Sequence, residues 1–459
     1  MQQIEHRRIR LEEVDWDGIV RFSRLFGAFR MAVHPSKLLV CLVMVTLLYV
    51  GGRAMDGVWG PRVYPGELAL YSSMSGENFD DWLSQSRADW GSRSGIFQTA
   101  LTYKVRALQQ LVIAVSELDL GLGQLVEQNR HDPNTVVGAL EDLVVVLPGW
   151  LLRAHPWFTL VYALWAAPLC AVFCGAVARM AALHATRDQR LSPAGALRFA
   201  AGRWVWFLLT PLLPLLLAAV LGLGLAGGGL VLFNLPVLEV LGGLLFFLAI
   251  GAGLAIACLL ALEVAGGHLM YPAVAVEDTD AFDAVSRAFS YVLGRPWRCL
   301  FYSFVALGYG AITFVVVGLV VFLSLWVTQR LVGAWVFREV GQVNRFEAML
   351  PPPALGDFSV EPRWEELGVS GKAAAGLVWA WVHLAFGLLA AYAVSYYLCA
   401  STWVYLLLRR AADECEFDDV ALEGADGKGE RSAAAEASSP DSADVTDEAE
   451  EASGHAVGP

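Results

Sequence analysis

Apolar runs long enough to cross a bilayer dominate this chain, and polar segments of two kinds separate them. The first run, Leu38 to Gly52, is extended by Met31–Val33 and Ala54–Trp59 toward the roughly 20 residues that a span needs. Pro156–Ala182, Trp204–Leu225, Val237–Val264, Leu300–Val327 and Ala373–Leu408 follow. The pattern predicts an all-α fold, a polytopic bundle of about six transmembrane helices. A signal peptide competes for the first run. Its polar leader of more than thirty residues is long for a signal n-region, which favours an uncleaved first helix.

Long separators read as loop subdomains and short ones as amphipathic connectors. The resulting map has a basic amphipathic segment at 1–36, a first span at 37–58 and a helical loop at 59–155. A core of spans two to five covers 156–327, with interfacial helices at 191–203 and 279–298. A second loop at 328–372, a sixth span at 373–410 and an acidic tail at 411–459 complete it. In the first loop, Asn78–Trp90 reads as a short helix and Ser94 as the cap of a longer one. Asp132-Pro133-Asn134 opens a helix over Val136–Val146, which Pro148-Gly149 should stop. Gly227–Gly229 with Asn234-Leu235-Pro236 reads as a short turn between the third and fourth spans.

One connector pattern recurs. Tyr271–Phe301 contains an amphipathic segment, then a base beside a proline, then a span. Phe22-Ser23-Arg24-Leu25-Phe26 before Pro35 matches Val285-Ser286-Arg287-Ala288-Phe289 before Pro296, and Ala196–Phe199 before Arg203 is a weaker copy. The expected arrangement buries each apolar face in the membrane interface. Arg24, Arg198, Arg203, Arg287, Arg295 and Arg298 then face anionic headgroups. Bases concentrate in the N-terminal segment, in 184–203, in 269–299 and at Arg409-Arg410, whereas 226–237 has none. By the positive-inside rule both termini are cytoplasmic, and the two long loops lie outside. The bacterial cytoplasmic (inner) membrane is the expected location.

Composition supports the membrane class. The chain is 56% hydrophobic and 17% charged, against about 25% charged in soluble domains. Its net charge of −13 belongs to the tail, where fifteen acids from residue 411 onward face only Lys428 and Arg431. The rest sums to zero, so the charge says nothing about a binding face on the folded part. Basic residues sit dispersed at span edges, which points to lipid and away from nucleic acid. Cys170 and Cys174, one helical turn apart, read as packing residues rather than metal ligands. No phosphate-binding Gly-Lys-Ser/Thr loop, Gly-x-Ser-x-Gly, His-Glu-x-x-His or Cys-x-x-Cys is present. The sequence therefore points to no enzyme activity, cofactor or metal. Three intramembrane polar residues remain as candidates. Glu263, with His268 five residues on, is placed near the cytoplasmic edge within reach of Arg287 or Arg298, and His383 lies inside the sixth span.

Tyr271-Pro272-Ala273-Val274, the Ala284–Phe289 helix bearing Arg287, and Gly294-Arg295-Pro296-Trp297-Arg298 leading into a span carry a family resemblance. Over residues 155–330 the chain resembles the membrane-domain family named after glycerophosphoryl diester phosphodiesterase and related six-helix bacterial membrane proteins. The catalytic domain found in that family is separate, and this chain has no His-Arg-Gly motif or alternating strand–helix segments. The resemblance implies a membrane fold and no activity. The expected role is a membrane scaffold, assembly or envelope-homeostasis protein contacting lipid and possible membrane-protein partners. A transporter or permease subunit drawing on an external energy source is the alternative, favoured by the internal repetition.

Overall fold

The computed structural model describes residues 21–73, 79, 81, 82, 93–117, 119, 121, 123, 132–235, 237–354 and 360–413. Residues 1–20, most of the expected Asn78–Trp90 helix and the tail beyond Asp413 lie outside the described residues. The molecule is an all-α polytopic helical bundle. After a 3-10 turn at Arg21–Phe26 come α1 (Gly27–Ala32) and α2 (Pro35–Trp59). The first loop holds α3 (Glu67–Ser73), α4 (Ile96–Glu117), α5 (Val136–Glu141) and α6 (Leu147–Ala154). Then follow α7 (Pro156–Arg187), α8 (Pro193–Gly202), α9 (Trp204–Asn234), α10 (Leu238–Leu244), α11 (Phe246–Glu277) and α12 (Ala281–Gly294). The chain continues with α13 (Pro296–Gly333), the strand pair β1 (Glu339–Val340) and β2 (Val343–Asn344), α14 (Arg345–Met349) and α15 (Val369–Asp413).

Six of these helices, α2, α7, α9, α11, α13 and α15, are long and apolar enough to span a membrane. Energetics favour lipid over water around them. On α9 alone, twelve large apolar side chains from Trp204 to Phe233 are exposed. Removing even half of each from water is worth about 1 kcal/mol. The sum rivals the net stability of an entire soluble domain, about 5–15 kcal/mol.

The span ends differ from those the apolar pattern predicts. α9 passes through Gly227–Gly229 to Asn234, so the expected glycine turn is helix. α11 starts at Phe246 instead of Val237 and passes through Pro272 to Glu277. Tyr271–Glu277 is thus the end of a span, and only Ala281–Gly294 forms the short helix. The physical reason is the solvent. A helical glycine costs about 1 kcal/mol, whereas a backbone polar group left unpaired in hydrocarbon costs several.

In the bundle, α2, α7 and α15 pack together centrally, with the α9–α11 pair against α7 and α13 against α15. Alternating directions gather the starts of α2, α9 and α13 and the ends of α7, α11 and α15 at one end. Short helices α1, α8 and α12 pack there too. The two long loops lie at the other end. Burial follows this division. Leu269–Val276 of α11 is almost wholly buried apart from Tyr271, yet none of its most apolar 18-residue window is buried.

The three short helices share a buried pattern of Ala, then a large residue three positions on, then a small or branched one. It reads Ala28/Met31/Ala32, Ala196/Phe199/Ala200 and Ala288/Tyr291/Val292. These faces pack on protein in the common core and not in the membrane interface. The exposed large apolar side chains here are Phe282 and Leu293 of α12 and Phe26, just before α1. The pseudo-repeat includes the preceding turns. α7 and α11 each end at an aspartate in the left-handed region, Asp188 (φ 49) and Asp278 (φ 57). Ser192 and Asp280 then cap α8 and α12 through side-chain oxygens.

The first loop folds around Phe79, Trp150 and Phe158. Its helix α4 is capped by Asp56 of α2, not by Ser94. The Asp56 carboxylate accepts the Phe97 and Gln98 N–H groups at 2.8 and 2.9 Å. Ser94 instead bridges to Val63. Pro148-Gly149 does not stop the chain's helix. After a π-helical turn at Asp142–Val146, Pro148 occupies the first turn of α6, where its missing N–H is tolerated.

Candidate functional site

The packed end of the bundle concentrates the ionic chemistry. Glu277, at the end of α11, lies 2.8 Å from Arg409 Nε of α15, and Arg409 Nη2 donates to its other oxygen at 3.3 Å. Tyr405 donates its hydroxyl to Glu277 at 3.1 Å, and Arg287 of α12 stands 3.9 Å away. Arg287 also donates to Asp283 at 2.9 Å, and these two carboxylates raise its pKa against the opposing effect of burial. Tyr291 of α12 donates to Asp413 at 2.5 Å. Burial, then the Asp413 hydrogen bond, push its phenol well above the usual range.

A second cluster joins the repeats. Arg203, after α8, pairs with Asp278, the left-handed residue after α11. Arg179 is buried inside α7 and donates to the Ala275 carbonyl at 2.6 Å. Both guanidiniums lie over the Phe199 ring, 4.4 and 4.3 Å from its centre. Of the six arginines expected to face headgroups, Arg203 and Arg287 are thus bound to protein carboxylates. Arg198 and Arg298 are exposed, Arg24 and Arg295 half-buried.

Arg24 lines a pocket of about 900 Å³ between the N-terminal turns, the end of α7 and Trp403 of α15. Its charged walls are Arg24, Arg30, Arg187 and Asp188, with His184 among them. Behind His184 lies Lys37, 2% exposed. The ammonium donates to His184 Nδ1 at 2.9 Å and to the Met31 carbonyl at 3.3 Å. Because an ammonium can only donate, His184 must accept at Nδ1 and carry its proton on Nε2. That nitrogen sits 3.5 Å from Asp188. The edge of the His34 ring completes the group at 5.8 Å. Burial and the charges of Lys37 and Arg190 hold His34 below its ordinary pKa. The Lys37–His184 and Arg179–Ala275 contacts have no short-range sequence signal, since they join different helices, whereas Asp188 is only one turn from His184.

The intramembrane candidates do not converge. Glu263 is fourteen residues before the end of α11, about 21 Å inward at 1.5 Å per residue. It is therefore deep in the span and not near its edge, and Arg287 is engaged by Asp283 and Glu277 instead. One Glu263 oxygen is buried and has no hydrogen-bond partner among the described residues. His268 lies 3.1 Å from the Ser303 hydroxyl of α13. His383 is bonded to the Trp379 carbonyl at 2.9 Å and its ring centre lies 3.8 Å from that of Trp379. Cys174 approaches Met44 at 3.7 Å. Among the described residues no group of three or more His, Cys, Asp or Glu side chains could hold a metal ion.

Comparisons with protein-family models, curated proteins and solved structures found no match to this chain. Any functional reading therefore starts from the geometry above.

Proposed function

We propose that this protein is a non-enzymatic membrane scaffold, serving assembly or envelope homeostasis by holding lipid and a membrane-protein partner. The observation that carries this reading is the division of the bundle. One end is tied together by buried ions and three docked helices. The spans beyond it present apolar faces such as Leu223, Leu254 and Leu307. A rigid base beside unpartnered helix faces suits lateral association. The resemblance to the glycerophosphoryl diester phosphodiesterase membrane-domain family and the charge asymmetry extend the proposal to a bacterial inner membrane, with both termini cytoplasmic.

Photo-crosslinking residues placed at Leu223 and Leu254 in cells test it. A discrete membrane-protein adduct together with lipid adducts is expected. Saturable solute flux or catalytic turnover by the purified chain in proteoliposomes would overturn it. The unpaired Glu263 oxygen at depth favours a second reading, a permease subunit. Under that reading E263Q abolishes flux, whereas under the scaffold reading it leaves the crosslinks unchanged.

A further inference from the structure

We propose that the segment from α5 through α6 is a membrane wedge. Its apolar outer face lies against the acyl chains of the leaflet at the loop end of the bundle. This goes beyond the scaffold reading, does not rest on it, and holds for either orientation of the chain. Polarity is the first argument. The segment is helical over residues 136–154, with the π-helical turn inside it. Its inner face is buried and includes Asp142, whose carboxylate accepts the Tyr103 hydroxyl. Its outer face carries Leu140, Val144, Val145 and Leu152, the last three exposed by 67, 60 and 63%. Glu141 and Arg153 are its exposed charges. Such a helix is inside-out for water, with a carboxylate within and branched apolar side chains without. At a bilayer surface an apolar face turned outward is the ordinary arrangement.

Continuity is the second. Every fourth residue from Leu140 to Leu164 is exposed and is Leu, Val or Pro. That row passes without a polar break from the loop subdomain onto α7, a span whose exposed face meets lipid. Only His155, with φ −134 and ψ 53, separates α6 from α7. The corner is pinned. The Thr159 hydroxyl donates to the Leu151 and His155 carbonyls at 2.8 and 2.9 Å, and the Trp150 and His155 rings meet at 4.9 Å. Depth is the third argument. Phe97, in the first turn of α4, lies 6.0 Å from the Tyr49 ring of α2 and 5.6 Å from the Tyr162 ring of α7. Tyr49 is about 15 Å below the end of α2 at 1.5 Å per residue. The subdomain is therefore seated beside the span ends and not on a stalk above them. The Val136 N–H on the Asp119 carbonyl at 3.0 Å and Tyr103 on Asp142 hold the wedge along α4 at that level.

The test is fluorescence quenching on the full chain in phosphatidylcholine vesicles, read from an environment-sensitive fluorescent amino acid at one position at a time. Lipids spin-labelled on the upper acyl chain quench from the membrane, and iodide quenches from water. A probe replacing Val145 should be quenched by the labelled lipid and shielded from iodide, as should one replacing Leu164 in the span. A probe replacing Thr102, exposed on α4 in line with Gln98 and Arg106, should respond the other way. Lipid quenching at Val145 should be several times that at Thr102. Should the Val145 replacement lower the melting temperature, the same comparison at Leu152 decides the matter. Iodide access at Val145 equal to that at Thr102 would overturn the proposal. Shielding from both quenchers would overturn it in favour of a protein cover such as a second copy of the chain. The Leu223 and Leu254 crosslinks report on the scaffold reading separately, so either reading can fail alone.

Discussion

The two halves of the same spans differ sharply in packing although both are apolar. At the packed end, α7 buries Gly175–Leu183, α11 buries most of Leu269–Val276 and α15 buries Leu398–Arg409. In the other half, α9 and α11 face outward with Leu223, Leu230, Phe246 and Leu254. Hydrophobicity cannot choose between these outcomes in a bilayer, where lipid tails are as apolar as leucine. Polar partners choose instead. The packed end holds Arg179, Lys37, Glu277 and Arg409, each tied to a partner on another helix. The open stretches carry as much Ala and Gly, yet glycines such as Gly222, Gly224, Gly251 and Gly253 have no neighbour close by, so small residues alone do not draw these helices together.

That contrast can be broken most directly at Glu277. E277A leaves Arg409 without its buried partner and should cost about 3 kcal/mol or more, read as a fall in melting temperature in detergent. An unchanged melt would show that ions do not hold the packed end. Close backbone approach is the next test. A Cβ at Gly310 would meet the Tyr396 ring at 2.4 Å, and Tyr396 is held by its hydroxyl on the Ala306 carbonyl at 2.7 Å. G310A should destabilise by about 1–3 kcal/mol. A neutral result would mean that Tyr396 moves freely.

The loop subdomain at the far end offers a pH test. Glu67 is buried, which pushes its pKa up. Its contact with His155 and the hydrogen bonds from the Tyr64 N–H and Trp150 indole, both at 3.0 Å, outweigh that and hold it below the usual range. Its stabilisation is therefore complete above the ordinary carboxylate pKa of about 4.3. It fades as pH falls through the lower folded value. Trp150 fluorescence should report loosening of this subdomain below about pH 4, while E67Q abolishes that transition. A transition that survives E67Q would assign it elsewhere. The smallest effect is expected in the open half. L223A removes a lipid-facing side chain and should change stability by less than about 0.5 kcal/mol. A loss above that would reveal a protein partner retained on α9.

Much of the architecture was legible in the chain. All six spans fall where the apolar runs lie, because each must satisfy its backbone alone and so carries its signal locally. Their ends were less legible. Gly227–Gly229 and Pro272 look like breaks by rules learned in water, but those rules weaken where no water competes for the backbone. Repetition of the short helices was visible too, though its meaning was not. The apolar faces expected to meet the membrane interface dock largely on protein, since amphipathicity does not say what covers the apolar side.

The sequence by itself determined that this is a six-span helical protein whose alternate connectors are basic. Only the tertiary structure decided which bases are tied to protein carboxylates. Arg203 and Arg287 look equivalent to Arg198 and Arg298 along the chain, yet the first two are bound by Asp278, Asp283 and Glu277. Lys37 meets His184 across 147 residues, and Glu277 meets Arg409 across 132. Such pairs leave no periodic trace, because attraction between charges depends on distance in space and is blind to distance along the chain.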